Sequence, residues 1–152
     1  MRIEEFLTPD HSRSAVPGVS KKRVLEYLST FLNDGNADET TADVIYQKLI
    51  ERERLGSTGI GHGVAIPHCR VSGCSKITGV LLSLKDQVDF DSIDGEPVDL
   101  VFALVVPDEQ DRTHLEALAA IANLMQEPAT REKLRTASSN QALYDIAIAQ
   151  EP

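Results

Sequence analysis

The stretch VDLVFALVV, residues 98–106, is apolar at every position except Asp99. Its near-continuous apolar run, without alternation, predicts a strand buried on both faces, as in a sheet covered by layers on each side. ITGVLLSL, residues 77–84, reads as a second strand. DFDSIDGEP, residues 89–97, lies between them and carries turn signals. Val64, Ala65 and Ile66 read as a short buried strand. Pro107 is expected to end the strand that starts at Val98.

Helical patterns surround these strands. Ser20 followed by KKRVLEYLSTFL reads as an N-cap and a helix, with Val24, Leu28 and Phe31 on one face and Leu25 and Leu32 alongside. NDGNADE, residues 33–39, is a turn-rich break. Thr40 or Thr41 then caps TADVIYQKLIERERL, with Ala42, Ile45 and Leu49 as its stripe and Gly56 as its stop. Downstream, Thr113 to Glu116 gives a T-x-x-E capping box with Thr113 as N-cap. It opens a helix through Met125 with Leu115, Leu118, Ala122 and Met125 as its core stripe. Two shorter helices follow, from Pro128 to about Thr136 and from Asn140 to about Ala149. Strands interleaved with helices predict an α/β fold: a single domain over residues 1–152, one central sheet with helices on both faces.

The composition excludes several function classes. The chain has 152 residues, 41% of them hydrophobic, which is enough for one real core. Its formal net charge of −9 disfavours nonspecific binding to nucleic acid, which needs Lys and Arg to replace counterions. The same charge suits a basic protein partner, although from charge by itself solubility alone is the preferred account. The two cysteines, Cys69 and Cys74, do not make a disulfide framework. No apolar run reaches bilayer length, and MRIEEFLTPD lacks the features of a signal peptide, so a soluble, cytoplasmic protein without membrane insertion is expected.

The chemistry is expected in GSTGIGHGVAIPH, residues 56–68, which holds four of the nine glycines. Glycines let backbone approach a ligand closely, and N–H groups of such a loop can cradle an anion. Pro67 stiffens the chain just before His68. A neutral imidazole is a good nucleophile near pH 7, and attack on phosphorus by a ring nitrogen gives a phosphohistidine. A lone histidine is more often a hydrogen-bonded structural residue; the glycine loop and the proline favour the nucleophile.

Two further residues join His68 as candidates. His114, near a helix start, can donate an N–H to a phosphoryl oxygen beside free backbone amides; the plain alternative is a surface histidine. Arg52, shortly before the glycine loop, would contribute up to about 4 kcal/mol at roughly 4 Å from a phosphoryl oxygen and an effective dielectric of about 20. A solvated arginine in the run ERER is the commoner fate.

Other patterns fail on spacing. His62, His68, Cys69 and Cys74 do not form the paired limbs of a zinc site. The segment from Asp89 to Gly95 has one residue too many for a calcium loop, and Leu100 stands where glutamate is needed. Gly59, Gly61 and Gly63 do not make a dinucleotide fingerprint, and no G-K-[ST] follows. No metal and no cofactor are therefore expected.

RERLGSTGIGHGVAIPHCR, VDFDSIDGEPVDLVFALVVP and THLEALAAIANLM together resemble phosphotransferase-system enzyme IIA domains of the fructose–mannitol type. The resemblance covers nearly the whole chain. LTP followed by SKKRVLEYLS makes it most similar to the nitrogen-regulatory branch, where enzyme IIA stands without a fused transport domain, and the chain length agrees. The resemblance implies a mixed sheet flanked by helices. It implies that His68 accepts a phosphoryl group, as tele-phosphohistidine, from a phosphohistidine on a small HPr-like carrier protein. It also implies that His114 steadies that group, that Arg52 stabilises its charge, and that Ser57, Thr58 and Gly63 belong to the phosphoryl-binding loop.

A phosphotransferase of this branch would have a regulatory output, with targets such as potassium-transport components or sensor kinases. The alternative is a sugar-specific enzyme IIA that hands its phosphoryl group to a separate enzyme IIB. A binding module without transfer is disfavoured by His68, Arg52 and His114 occurring together. Cys69, where a small residue such as glycine often follows the histidine, would either tune reactivity or make the site oxidisable. The carrier is expected to dock on apolar surface from Ile60, Val64 and Ile66 with an acidic rim, for which residues 86–96 are a candidate.

Overall fold

A computed structural model of the chain describes residues 1–33, 41–74, 76–108 and 112–149. After two 3₁₀ turns, at Ile3–Glu5 and Pro9–His11, come strand β1 (Ser12–Val16) and helices α1 (Lys21–Leu32) and α2 (Ala42–Arg54). Strands β2 (Gly59–Gly61), β3 (Val64–Ala65), β4 (His68–Val71), β5 (Thr78–Val88) and β6 (Val98–Pro107) follow, then helices α3 (Thr113–Leu124), α4 (Pro128–Arg135) and α5 (Asn140–Ala149).

The six strands form one mixed sheet in the order β1-β5-β6-β3-β2, with β4 also paired to β6. β5 and β6 are antiparallel, whereas β1 on β5 and both β3 and β4 on β6 are parallel. The doubly apolar run of β6 has the predicted consequence. Val101, Ala103 and Val105 pack into one core with α1 and α2, while Leu100, Phe102, Leu104 and Val106 pack into a second with α3, α4 and α5. Helices thus cover both faces of a mixed α/β sheet, as expected.

Ser20 caps α1, its side chain accepting from Arg23 N, and Thr41 caps α2, accepting from Val44 N. The other possible cap, Thr40, and most of the 33–39 break lie outside the described residues. Pro107 ends β6 as its last residue, as expected. Two expectations need correction. Helix α3 starts one residue early. Leu115 N and Glu116 N both donate to Arg112 O, so Arg112 is the N-cap, Thr113 is already helical, and the T-x-x-E box does not form. The stripe of α3 is also rotated. Ala117, Ile121, Leu124 and Met125 are buried, Leu118 is half-buried, and Leu115 and Ala122 face outward.

The glycine-rich segment folds as a β-hairpin rather than an open loop. β2 and β3 pair antiparallel across a turn at His62 (φ 57°) and Gly63 (φ 78°). Both residues are left-handed, as a two-residue type I′ turn requires. The turn is fastened from outside: Arg135 pairs with Asp99 at 2.9 Å and also donates to His62 O. A Cβ on Gly63 would sit 2.5 Å from Arg135 Nη2, and one on Gly59 would sit 2.1 Å from Ser92 Oγ. These glycines serve close packing.

Candidate active site

β3 and β4 are successive pieces of one extended segment along the same edge of β6. Val64 and Ala65 pair with Leu100 and Val101, and His68 resumes the ladder opposite Leu104. Pro67 causes the break, since it has no N–H to donate, while its carbonyl still accepts from Leu104 N at 2.9 Å. His68 therefore stands at a strand start behind a stiff residue. Because side chains alternate along a strand, Cys69 and Val71 enter the core beside α1 and α2, and His68 and Arg70 share the opposite face.

His68 is half-buried, and its Nδ1 lies 2.8 Å from Ile66 O. A carbonyl only accepts, so Nδ1 carries the proton and Nε2 presents its lone pair. Burial is the largest influence on this ring and lowers its pKa below the ordinary histidine value. The Ile66 hydrogen bond opposes that, Arg52 lowers it further, Glu53 raises it and His114 lowers it. The result favours a neutral ring whose free nitrogen is Nε2.

His68, Arg52 and His114 line one surface cleft of about 540 Å³, together with Lys48, Glu51, Leu55, Cys69, Arg70, Leu115 and Leu118. Three residues separated by up to 62 positions in sequence are thus brought together, and α2, β4 and α3 each contribute one. Arg52 donates through Nη1 to Gly56 O at 2.9 Å, which holds it over the C-terminal turn of α2. Arg70 is a site residue that the sequence reading passed over. Its Nη2 lies 2.7 Å from His114 Nε2. The available signal was its spacing of two from His68, which on a strand means the same face.

The three loop candidates do not join this group. Ser57 Oγ donates to Phe90 O and accepts from Gly59 N. Thr58 is buried: its N and Oγ1 both donate to the Glu53 carboxylate, and its carbonyl accepts from Ile66 N at 2.9 Å. Ser57 and Thr58 brace the end of α2 against the strand leading to His68. Gly63 sits level with Asp99 and Leu100, whose N–H groups donate to its carbonyl. His68 is level with Leu104, four residues along β6, or roughly 13 Å away at about 3.3 Å per residue.

The surface around the cleft differs from expectation in two respects. Ile60 is exposed on β2 but does not line the cleft, and Val64 and Ile66 are buried; the exposed apolar residues lining the cleft are Leu55 (85%) and Leu115 (56%), with Leu118 between them and the core. The charged residues lining it are Lys48, Arg52 and Arg70 against Glu51, a basic rim on an acidic protein. Residues 86–96 run beside the β2–β3 hairpin instead, where Asp94 accepts from His62 N at 3.1 Å. The Cys69 thiol is pushed up to about 12, first by burial and then by the neighbouring Cys74, so it is not a thiolate near pH 7. Among the described residues no group of three or more His, Cys, Asp or Glu is arranged to hold a metal ion.

Residues 5–149 match the family profile described as "Phosphoenolpyruvate-dependent sugar phosphotransferase system, EIIA 2". The chain is 46% identical to a "Nitrogen regulatory protein" of Pseudomonas aeruginosa, over 97% of this chain and 96% of that one. It is 33% identical to the fructose-specific EIIABC component of Bacillus subtilis, over 96% of this chain but 23% of that one. Among solved structures, the nitrogen regulatory protein IIA-Ntr of Neisseria meningitidis superposes with a TM-score of 0.87 at 36% identity. That match covers 95% of this chain and 98% of the other.

Proposed function

The chain belongs to the phosphotransferase-system EIIA type 2 family, and from that membership we propose that it carries a phosphoryl group on His68 Nε2, received from a phosphohistidine on an HPr-like carrier. Phosphotransfer is the family's chemistry. The observation that supports this residue and this atom is the Nδ1 hydrogen bond to Ile66 O inside a cleft shared with Arg52 and His114. It leaves the tele nitrogen as the nucleophile.

In the transfer, the Nε2 lone pair forms a bond to phosphorus as the donor's N–P bond breaks, and the leaving electron pair returns to the carrier's ring. His68 keeps its Nδ1 proton, so its ring gains positive charge, which the Ile66 carbonyl dipole stabilises. Arg52, Arg70 and Lys48 offset the charge of the phosphoryl group. Leu55, Leu115 and Leu118 supply apolar surface that excludes water when the carrier is seated, protecting the group from hydrolysis. Donor and acceptor are both histidines, so the step uses no metal or nucleotide.

The output we propose is regulatory, with phosphorylated and unphosphorylated forms binding different protein targets. Potassium-transport components and sensor kinases are the classes the nitrogen-regulatory branch suggests. The likeness to nitrogen regulatory proteins over nearly full length on both sides supports this over transfer to a sugar-specific enzyme IIB. The decisive experiment is incubation with phosphoenolpyruvate, enzyme I and the carrier, followed by intact mass. Wild type should gain one phosphoryl group, and folded His68→Ala none. Stoichiometric, acid-labile label on His68→Ala would overturn the assignment.

A further inference from the structure

Arg70 and His114 hold each other across the cleft in a way the transfer step does not use. Arg70 Nη2 lies 2.7 Å from His114 Nε2 and 3.4 Å from Nδ1; a guanidinium has five donors and no acceptor, so the shorter contact takes the Nε2 lone pair. A ring with a single proton then carries it on Nδ1. Arg70 also stands two residues after His68 on β4, with about 6.6 Å of strand rise between them. Both side chains line the same cleft, and a guanidinium on a three-carbon stem spans that separation. No other partner of Arg70 is found among the described residues.

We propose that Arg70 is a positioning residue that sets the protonation of His114: it holds Nε2 unprotonated at rest and releases it when His68 is phosphorylated. The inference rests on His68 as the phosphoryl acceptor. A phosphoryl group on His68 Nε2 brings about −1.5 to −2 charge and three strong acceptor oxygens into the cleft. Guanidinium–phosphate hydrogen bonds are about twice as strong as neutral ones and are often bidentate. The guanidinium therefore leaves an imidazole nitrogen for the phosphoryl oxygens. The His114 Nε2 lone pair, now facing an anion, takes one proton from water and becomes a donor to that anion. The ring either keeps its Nδ1 proton as imidazolium or returns it to water. The same pair that braces the empty cleft thus becomes two donors on the occupied one.

The test is long-range proton–nitrogen correlation of the histidine rings in the full ¹⁵N-labelled chain, with His114 assigned by its absence in His114→Gln. Spectra are taken at rest, after phosphorylation through enzyme I and carrier, and after phosphorylation with phosphoramidate, a small-molecule donor. Mass and site mapping confirm His68 as the modified residue in each case. At rest, wild-type His114 should show Nε2 unprotonated. Arg70→Gln, checked for folding by its amide spectrum, should lose that preference, and Arg70→Lys should keep it. After phosphorylation, wild-type Nε2 should be protonated. Nε2 protonated at rest, Nε2 unchanged on phosphorylation, or Arg70→Gln indistinguishable from wild type would each overturn the proposal. If His68 takes a phosphoryl group and His114 does not respond, Arg70 fails and the phosphocarrier reading stands. If only phosphoramidate modifies His68 and His114 responds, the carrier reading fails and Arg70 stands. If neither donor modifies His68, the phosphocarrier reading and the switch both fail, and the resting spectra alone decide the clamp.

Discussion

Replacing Glu53 by alanine should cost about 3 kcal/mol of folding stability. The Glu53 side chain is only 5% exposed, and its two oxygens serve three donors: Lys21 Nζ at 2.9 Å, Thr58 N at 3.2 Å and Thr58 Oγ1. Through them the end of α2 is tied to the start of α1 and to the chain entering β2. Removing one member of a fully buried ion pair costs about 3–5 kcal/mol, because the other charge is left stranded. Lys21 is better placed than that: its side chain is 21% exposed, and it keeps Phe90 O at 3.3 Å and the Phe90 ring at 5.2 Å. The ion-pair contribution therefore falls toward or below the low end of that range. Two hydrogen bonds from Thr58 to a charged acceptor, about 1.5–3 kcal/mol each when intact, keep the total from dropping to a surface-pair value. Glu53→Gln retains an acceptor for Thr58 N and should lose about half as much. In a domain of this size about 1 kcal/mol shifts Tm by roughly 2–4 °C, so Glu53→Ala should melt about 6–12 °C lower. Urea unfolding of Glu53→Ala, Lys21→Met and the double variant measures both the loss and its coupling. A loss under about 1 kcal/mol, the range of exposed pairs, or additive single variants, would refute the reasoning.

His68 is held below the ordinary histidine pKa mainly by burial. Between its folded pKa and the unfolded value of about 6.5, the unfolded chain binds more protons, so acidification through that window should destabilise wild type. His68→Asn should remove that part of the pH dependence, as stability measured from pH 8 downward would show. Gly63→Ala forces a Cβ toward Arg135 at a φ of 78° and should cost at least about 1–2 kcal/mol, while phosphoryl acceptance by His68 stays unchanged. Retained stability would mean the turn relaxes freely. Leu55→Ser with Leu115→Ser changes two exposed side chains and should move stability by no more than about 0.5 kcal/mol each, yet raise the KM for the carrier in transfer kinetics. An unchanged KM would remove these leucines from the docking surface.

Patterns of local period were enough to place most elements. The unalternating run at 98–106 requires cover on both faces, and β6 has it. Ser20 as a cap followed by an apolar face gives α1 from Lys21. A glycine-rich segment ending in Pro67 and His68 marks where a reactive ring would stand. These features depend on residues within a few positions of one another, and a linear sequence displays such relations directly.

Relations across the fold were decided by packing. β1 has five residues, the first three of them polar, and Ala15 at a φ of 52° breaks its register, so it has no periodic signature. In α3, hydrophobicity at Leu115 suggested a core contact, but the sheet beneath takes Ala117, Ile121 and Leu124 and leaves Leu115 on the cleft rim. An apolar side chain left at the surface has the same composition as one taken into the core. The glycines of residues 56–63 promised an anion cradle, yet Ser92, Arg135 and Asp99 occupy the space beside Gly59 and Gly63. Arg70 became visible only with β4, whose period of two points it along His68 toward His114. The sequence by itself singled out His68, Arg52 and His114 as the candidates for the proposed chemistry. Only the tertiary structure decided their neighbours, because sequence order constrains contacts within a turn or a strand, whereas contacts between α2, β4 and α3 are set by how the two cores fill.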